Sequence, residues 1–162
     1  MIKIIKLGSV TKDTATGLMG MVTHAYMELD RRLQYAFQPR GLNPETGQPV
    51  DRVWVVPDRL DMDGVAFDAV AFPIEVLGTE VTDTASGFKG IAIGINMHIS
   101  GCVHVAVQPK GTLAKTGAAV ASMDFDIRRL KGKAIPVLTE DERSSDQAAR
   151  PSPAHCPPPQ RR

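Results

Sequence analysis

Residues 77–90 read LGTEVTDTASGFKG, and residues 7–20 read LGSVTKDTATGLMG. The two stretches align without a gap at a constant offset of seventy residues. The same offset pairs further identical residues: Gln38-Pro39 with Gln108-Pro109, Gly41 with Gly111, and Arg59-Leu60 with Arg129-Leu130. A repeat of this length predicts two copies of one small domain, each of which closes its own core.

The shared motif Asp-Thr-Ala-[Thr/Ser]-Gly begins at Asp13 and again at Asp83. An Asp that opens a turn accepts hydrogen bonds from backbone N–H groups two residues further on, and Gly supplies the positive φ that reverses the chain. We therefore interpret the motif as a structural turn rather than as a pair of ligand or catalytic carboxylates. A later glycine of the motif, Gly20 or Gly90, is typical of a bulge or a sharp bend at a barrel corner.

Apolar residues in both copies alternate or cluster in short runs, which Gly, Asp, Asn and Pro separate, and this is typical of strands. The runs predict strands at 2–10, 18–27, 33–38 and 52–56, and again at 74–81, 88–99, 102–108 and 119–125. Short strands that follow one another in sequence are typical of small barrels. The predicted fold class is therefore all-β: two tandem small SH3-like β-barrels packed together, with a disordered C-terminal tail.

The predicted domains are a first barrel over residues 1–62, a packed connecting segment over 63–73, a second barrel over 74–132 and a disordered Pro/Ser-rich tail over 133–162. The connecting segment carries Val65, Phe67, Val70 and Phe72, which are too apolar for a free linker. We expect these four side chains to be buried in a seam shared by the two copies, with an added strand as one way to pack. The tail has little to bury and should stay disordered.

The composition excludes several classes of function. The net charge is +1, and residues 1–132 carry fourteen basic and fourteen acidic side chains, so no long-range field attracts nucleic acid as a general polyanion or a membrane surface. The two cysteines imply no disulfide framework, which fits a reducing cytoplasm. We expect neither a signal peptide nor a membrane helix, because the apolar runs are too short.

Metal binding and catalysis have little support in the sequence. His98, Cys102 and His104 are residue types that bind zinc, but the first copy does not share the pattern. Asp124 and Asp126 alternate on one predicted strand, where a solvated face is the simpler interpretation. The sequence has no nucleophile motif and no phosphate-binding Gly-rich loop ahead of a helix. We therefore expect no catalytic residues, no metal, no cofactor and no enzymatic activity.

Basic and aromatic residues at turns and strand ends are the remaining candidates for a binding site. Arginine can hold phosphate or carboxylate groups, and Trp or Tyr can stack on bases or fill a partner's pocket. Tyr26 and Tyr35 are further aromatic candidates on strands, for which burial in the core is the alternative interpretation. The predicted ligand-binding residues are Arg31, Arg32, Arg40, Trp54, Arg59, Lys110 and Arg129.

The second copy carries the pattern Leu-Gly-x-x-Val-x-Asp-x-x-[Ser/Thr]-Gly-Phe-x-Gly over residues 77–90, followed by Gly101-Cys102 and by Val107-Gln108-Pro109. This pattern resembles a group of small, uncharacterised proteins encoded by tailed bacteriophages and prophages. In the first copy Leu18 replaces the Phe, although residues 53–60 resemble that group's closing segment. The resemblance implies a phage origin and a small β-barrel, and it brings no known active site. KOW and Tudor domains, which are SH3-like barrels that mostly bind, provide a fold-level analogy.

Three functions follow as hypotheses. The first is a non-enzymatic phage protein that acts in the host cytoplasm through a protein partner or self-assembly, with two linked copies that raise the effective concentration. The second is sequestration of a small anionic ligand, such as a nucleotide signal of host immunity. The third is a structural component of the virion, whose tail becomes ordered on a neighbouring subunit.

Overall fold

The structure, a computed structural model, describes residues 1–113 and 116–133 of the chain. Over these ranges it contains eleven β-strands and three short 3-10 turns, with no α-helix. The prediction of an all-β protein is therefore confirmed. The predicted disordered tail lies outside the described residues, apart from its first residue, Lys133.

The chain divides into two compact units. Unit 1 consists of Met1–Phe72 together with Asn96–Gly101. Unit 2 consists of Pro73–Ile95 together with Cys102–Arg162, of which the structure describes 102–113 and 116–133.

Unit 1 contains the first six strands, which form two sheets. The strands are β1 (Ile2–Ile5), β2 (Val10–Lys12), β3 (Met19–Glu28), β4 (Leu33–Pro39), β5 (Val53–Val55) and β6 (Phe67–Val70). Antiparallel pairing joins β2, β3, β4 and β5 in sequence order, while β1 pairs with β6 as a separate two-stranded sheet. A 3-10 turn at Pro57–Arg59 follows β5.

Unit 2 has the same order of elements as β2 to the 3-10 turn after β5, but a 3-10 turn stands where unit 1 has β1. Its strands are β7 (Glu80–Asp83), β8 (Lys89–His98), β9 (Val103–Gln108), β10 (Met123–Asp126) and β11 (Leu130–Lys131). β7 pairs with β8, β8 neighbours β9, and β9 pairs with β10, while 3-10 turns lie at Ile74–Val76 and Ile127–Arg129. The last residues of β8, from Asn96 onward, belong to unit 1. The starts of β3 and β8, of β4 and β9, and of β5 and β10 are each seventy residues apart.

The strands do not close into barrels. In unit 2, β11 joins β7 over only two residue pairs. In unit 1 the equivalent contact is a single isolated bridge between Asp13 and Leu60. Two residue pairs and one bridge are shorter than a normal strand pairing, so each sheet remains open at this corner.

Each unit has its own apolar core. In unit 1, Phe37 and Tyr35 of β4 are fully buried, and the backbone N–H of Ile5 donates a 2.9 Å hydrogen bond to the Tyr35 hydroxyl. Tyr35 is therefore a core residue, which agrees with the core interpretation and not with the stacking one. In unit 2 the buried apolar residues are Val76, Val81, Ala92, Ile95, Val105, Ala106, Val107, Phe125 and Leu130.

The connecting segment packs as an added strand, because β6 pairs with β1 inside unit 1. Phe72 is 5 % exposed, which agrees with the expected burial. Phe67 is 40 % exposed, with the Lys3 ammonium 4.5 Å from its ring centre, so the expected burial of Phe67 is wrong. None of the four residues of β6 is buried, whereas Phe72 lies beyond the end of the strand.

Candidate binding site on unit 1

Two of the predicted ligand-binding arginines are framework residues. Arg59 donates two hydrogen bonds to the carboxylate of Asp13, at 2.9 and 2.7 Å, and Arg129 donates two to Asp83, at 2.9 and 2.8 Å. Both carboxylates are buried. A bidentate pair of this kind satisfies the arginine and the carboxylate together. The contacts of Arg59 and Arg129 are therefore accounted for by the fold, and ligand binding by these two residues stays a prediction.

These ion pairs change the acidity of the two carboxyl groups. The hydrogen bonds from Arg59 hold the pKa of Asp13 far below its usual range, even though burial acts in the opposite direction. Burial raises the pKa of Asp83, but hydrogen bonds from Arg129 and Ser86 outweigh it and lower the pKa to about 2. Both residues are therefore ionised at neutral pH and are unsuited to proton transfer there.

The structural interpretation of the repeated turn is confirmed. The Asp13 carboxylate accepts hydrogen bonds from the Ala15 N–H at 3.2 Å and the Thr16 hydroxyl at 2.6 Å, and Gly17 adopts a φ of 75°. In unit 2 the carboxylate of Asp83 accepts hydrogen bonds from the N–H and hydroxyl groups of Ser86. The aspartates therefore order the turns that precede β3 and β8.

The other predicted binding residues do not gather at one place. Arg32 pairs with Asp30 and Glu28 on the surface, and Arg31 occupies the same turn with a φ of 69°. Arg40 is exposed at the end of β4. Lys110 pairs with Glu80 at 2.8 Å in unit 2, where its side chain is 75 % exposed. Surface pairs of this type contribute little energy and do not form a site.

Trp54, the last of the predicted residues, lies in a cross-strand row. His24 of β3 pairs with Ala36 of β4, and Ala36 pairs with Trp54 of β5, so the three side chains share one sheet face. Because Ala36 is small, the rings of His24 and Trp54 approach to 6.0 Å between centroids, with a T-shaped geometry. We call this side of the β2–β5 sheet the outer face, since the alternating residues Val22, Ala25 and Phe37 face the core.

A β-bulge places His24 on the outer face. The register shifts between Val22 and His24, which leaves Thr23 as the extra residue of β3. Without the shift, strict alternation would put Val22 and His24 on the same side. The Thr23 hydroxyl donates to the carbonyl oxygen of Ala36 at 3.2 Å and lies 2.9 Å from Nδ1 of His24. Since the hydroxyl has one proton and donates it to Ala36, Nδ1 of His24 is the donor in that contact.

Further side chains complete what we call the outer-face cluster: His24, Tyr26, Arg52, Trp54 and His98. The rings of His24 and His98 are 4.4 Å apart, and the rings of Tyr26 and Trp54 are 5.7 Å apart. The N–H of Ile99, next to His98, donates to the carbonyl oxygen of Thr23 at 2.9 Å, which fixes the end of β8 beside β3 within unit 1. The cluster therefore combines four rings with one guanidinium.

Arg52 is the cation of the cluster. Its Nη1 lies 3.4 Å from both ring nitrogens of His24, so the guanidinium lies against the imidazole instead of making one linear hydrogen bond. Burial lowers the pKa of Arg52 from its usual value, although the group stays charged at neutral pH. Trp54 is 40 % exposed beside it, so the cluster offers a partly exposed aromatic ring together with a partly desolvated cation.

Sequence reasoning selected Trp54 but missed the rest of this cluster as a site. A comparison of the two copies contains a usable signal: His24, Arg52 and Trp54 correspond to Gly94, Ser122 and Asp124. His98 was considered only as a metal ligand. The contact between His24 and His98 joins residues far apart in sequence, and neither residue belongs to the repeated pattern.

The structure also bears on metals, cysteines and membranes. Over residues 1–113 and 116–133 no group of three or more His, Cys, Asp or Glu side chains could hold a metal ion. Cys102 is disulfide-bonded, whereas the sequence implied no disulfide framework. In the same part of the chain there is no helix of the length and apolar character that membrane crossing requires.

Comparisons of the chain with protein-family models, with curated proteins and with solved structures found no match.

Proposed function

We propose that this protein is a non-enzymatic binding protein that captures its ligand on the outer face of unit 1. The observation that carries the proposal is that Arg52 and Trp54 both contact one buried imidazole, that of His24. A partly exposed Trp beside an Arg is the residue combination that dominates the energy of many binding surfaces.

The repeated residues support a scaffold role. Asp13 and Arg59 hold one corner of unit 1, and the Gln38 side-chain amide donates to the carbonyl oxygen of Val50 at 2.6 Å. The counterparts of these contacts hold unit 2. Because the side chains shared by the two units make these structural contacts, the side chains that differ between the units are available to bind a ligand. The proposal includes two further points: that the two units arose by duplication, and that each is of the SH3-like type. The matching 3-10 turns after β5 and β10 support both points.

The resemblance to phage proteins supports a further part of this proposal, that the binding takes place in the cytoplasm of an infected host. A protein partner, self-assembly and a small anionic ligand were the binding hypotheses from the sequence. The half-buried cation of the outer-face cluster favours an anionic ligand, because an anion would offset its desolvation.

A capture experiment with the full chain tests the proposal. Immobilised wild-type protein, a Trp54→Ala variant and a Lys12→Gln control are incubated with a lysate of phage-infected bacteria, separated into macromolecular and small-molecule fractions. Lys12 is an exposed cation of β2 and lies outside the cluster.

We expect mass spectrometry to find a component that the wild type and the control retain, and that Trp54→Ala retains roughly tenfold less. The component should be recovered chemically unchanged. Equal retention by all three proteins would exclude the outer face as the binding site, and chemical conversion of the component would exclude a non-enzymatic role.

A further inference from the structure

Arg52 differs in its charge balance from the arginines of the described residues that form ion pairs. Four arginines pair with carboxylates: Arg32, Arg59, Arg128 and Arg129. Within the described ranges Arg52 has no carboxylate at ion-pair distance, although it is half-buried. A partly desolvated cation without a counter-charge is unfavourable, and an anion that binds there would restore the balance.

The contacts of Arg52 leave some of its guanidinium N–H donors available to a ligand. Nη1 lies against His24, and the Nε and Nη2 donors have no acceptor among the residues that the structure describes. A guanidinium presents five N–H donors in a planar fork, which matches the oxygens of a phosphate or carboxylate group. Since His24 holds one side of the fork, the group is oriented before any ligand arrives, and less side-chain entropy is lost on binding.

The presence of Trp54 near Arg52 indicates which class of anion would bind. Trp54 is 40 % exposed and lies on the same sheet face as His24. Arg52 contacts the imidazole of His24. A base can stack on such a ring whatever its sequence, while the phosphate attached to the same nucleoside reaches the arginine. An isolated phosphate would use only the cation, and an uncharged ring would use only Trp54.

The number of cations separates a small ligand from a nucleic-acid strand. A groove that follows a phosphate backbone needs a series of positive charges, whereas Arg52 is the single cation of the cluster. At the equivalent place in unit 2, Ser122 and Asp124 replace the arginine and the tryptophan, and a carboxylate there would repel a phosphate. The arrangement therefore suits one phosphorylated nucleoside per chain.

We infer that the outer-face cluster binds a small nucleotide, with the base stacked on Trp54 and a phosphate group held by Arg52. This inference rests on the proposed function, because it names the ligand class of the same site. The roles are separable: Arg52 recognises the charge, Trp54 recognises the ring, and His24 positions Arg52.

Isothermal titration of the full chain with AMP, adenosine, inorganic phosphate and a single-stranded eight-nucleotide dA oligomer tests the inference. We expect AMP to bind, and adenosine and phosphate each to bind roughly tenfold more weakly or less. Arg52→Gln should weaken AMP roughly tenfold and leave adenosine unchanged, whereas Trp54→Ala should weaken both. Lys12→Gln is the charge-matched control, and circular dichroism verifies the fold of each variant.

Several results would overturn the inference. These are the absence of AMP binding up to millimolar concentration, a loss in Lys12→Gln equal to that in Arg52→Gln, or an oligomer that binds more than roughly tenfold more tightly than AMP. If AMP fails while the Trp54-dependent capture from the lysate persists, the nucleotide inference is wrong and the binding function stands. If both fail, both are wrong.

Discussion

The outer face of unit 1 and the equivalent positions of unit 2 have the same backbone order and different chemistry. His24, Arg52 and Trp54 of unit 1 correspond to Gly94, Ser122 and Asp124. The aspartate–arginine corners beneath them are the same in both units, down to two hydrogen bonds per pair. The difference indicates that the residues shared by the two units specify the frame, whereas the side chains at the outer-face positions differ between the units. The following predictions test this separation, from the largest expected effect to the smallest.

The two cores should not be equally sensitive. Phe37 and Val107 occupy equivalent positions and are both fully buried. Phe37→Ala should lower the free energy of unfolding by about 3–5 kcal/mol, because it removes a large ring and leaves a cavity. Val107→Ala removes two methyl groups and should cost about 2 kcal/mol. Chemical denaturation measures the free energy of unfolding of both variants. Equal losses of free energy would contradict the difference that the side-chain volumes predict.

The two aspartate corners should respond alike to substitution and to acid. Asp13→Asn and Asp83→Asn each weaken a charged, bidentate hydrogen-bonded pair, which should cost about 2 kcal/mol. The folded pKa of Asp83, about 2, lies below its ordinary value of 3.8, so its contribution is complete above that ordinary value and decreases as the pH falls toward the folded pKa. Thermal melts between pH 7 and pH 2 should show this loss in the wild type and a weaker pH dependence in Asp83→Asn. If the Asn substitution lowered the stability in only one of the two units, the two corners would not have the same structural role.

The glutamine anchors should show a smaller, matched effect. Gln38 donates to the carbonyl oxygen of Val50, and Gln108 donates to that of Val120. Gln38→Ala and Gln108→Ala should each cost about 1 kcal/mol, the net value of a typical hydrogen bond. Denaturant midpoints of the two variants give the comparison, with Lys12→Gln as an exposed control. A difference of several-fold between them would mean that one anchor is not part of the frame.

Substitution of Trp54 should have the smallest effect on stability, although it changes the chemistry of the outer face most. Trp54→Asp gives unit 1 the residue that unit 2 has at this position, and a partly exposed side chain should change the free energy of unfolding by less than about 1 kcal/mol. The same variant should lose ligand capture. Thermal melting and the capture experiment together measure the two consequences. A large destabilisation would mean that Trp54 belongs to the frame.

The frame was more predictable than the site for a physical reason. Turn chemistry is local, so Asp13 and Gly17 could be interpreted within a few residues, and alternating apolar residues indicated β3 and β4. The partner of Asp13 lies at Arg59, and sequence alone left that arginine among the ligand candidates. Closure of the barrels was predicted and did not occur, because the length of the corner pairings depends on tertiary geometry that a strand pattern does not contain.

The outer-face cluster was harder still to predict. His24 reaches its face through the register shift at Thr23, and a bulge of this kind breaks the alternation that a sequence pattern assumes. His98 reaches the cluster because the end of β8 belongs to unit 1, which the repeat itself argues against. Long-range contacts of this sort follow from packing, so they become visible only with coordinates.

The unpaired state of Thr23 decides which face the second half of β3 presents. Before the shift, the odd-numbered Met19 and Met21 face away from the core, and after it the even-numbered Tyr26 and Glu28 do so. Loss of Thr23 would leave the chain one residue shorter and would restore strict alternation across the strand. The partners on both sides of the bulge would be kept, so His24 would stay opposite Ala36 and Tyr26 opposite Gln34 on the outer face. The opposite change, regular pairing of Thr23 with Ala36, would turn His24 and Tyr26 toward the core and present Ala25 and Met27 on the surface.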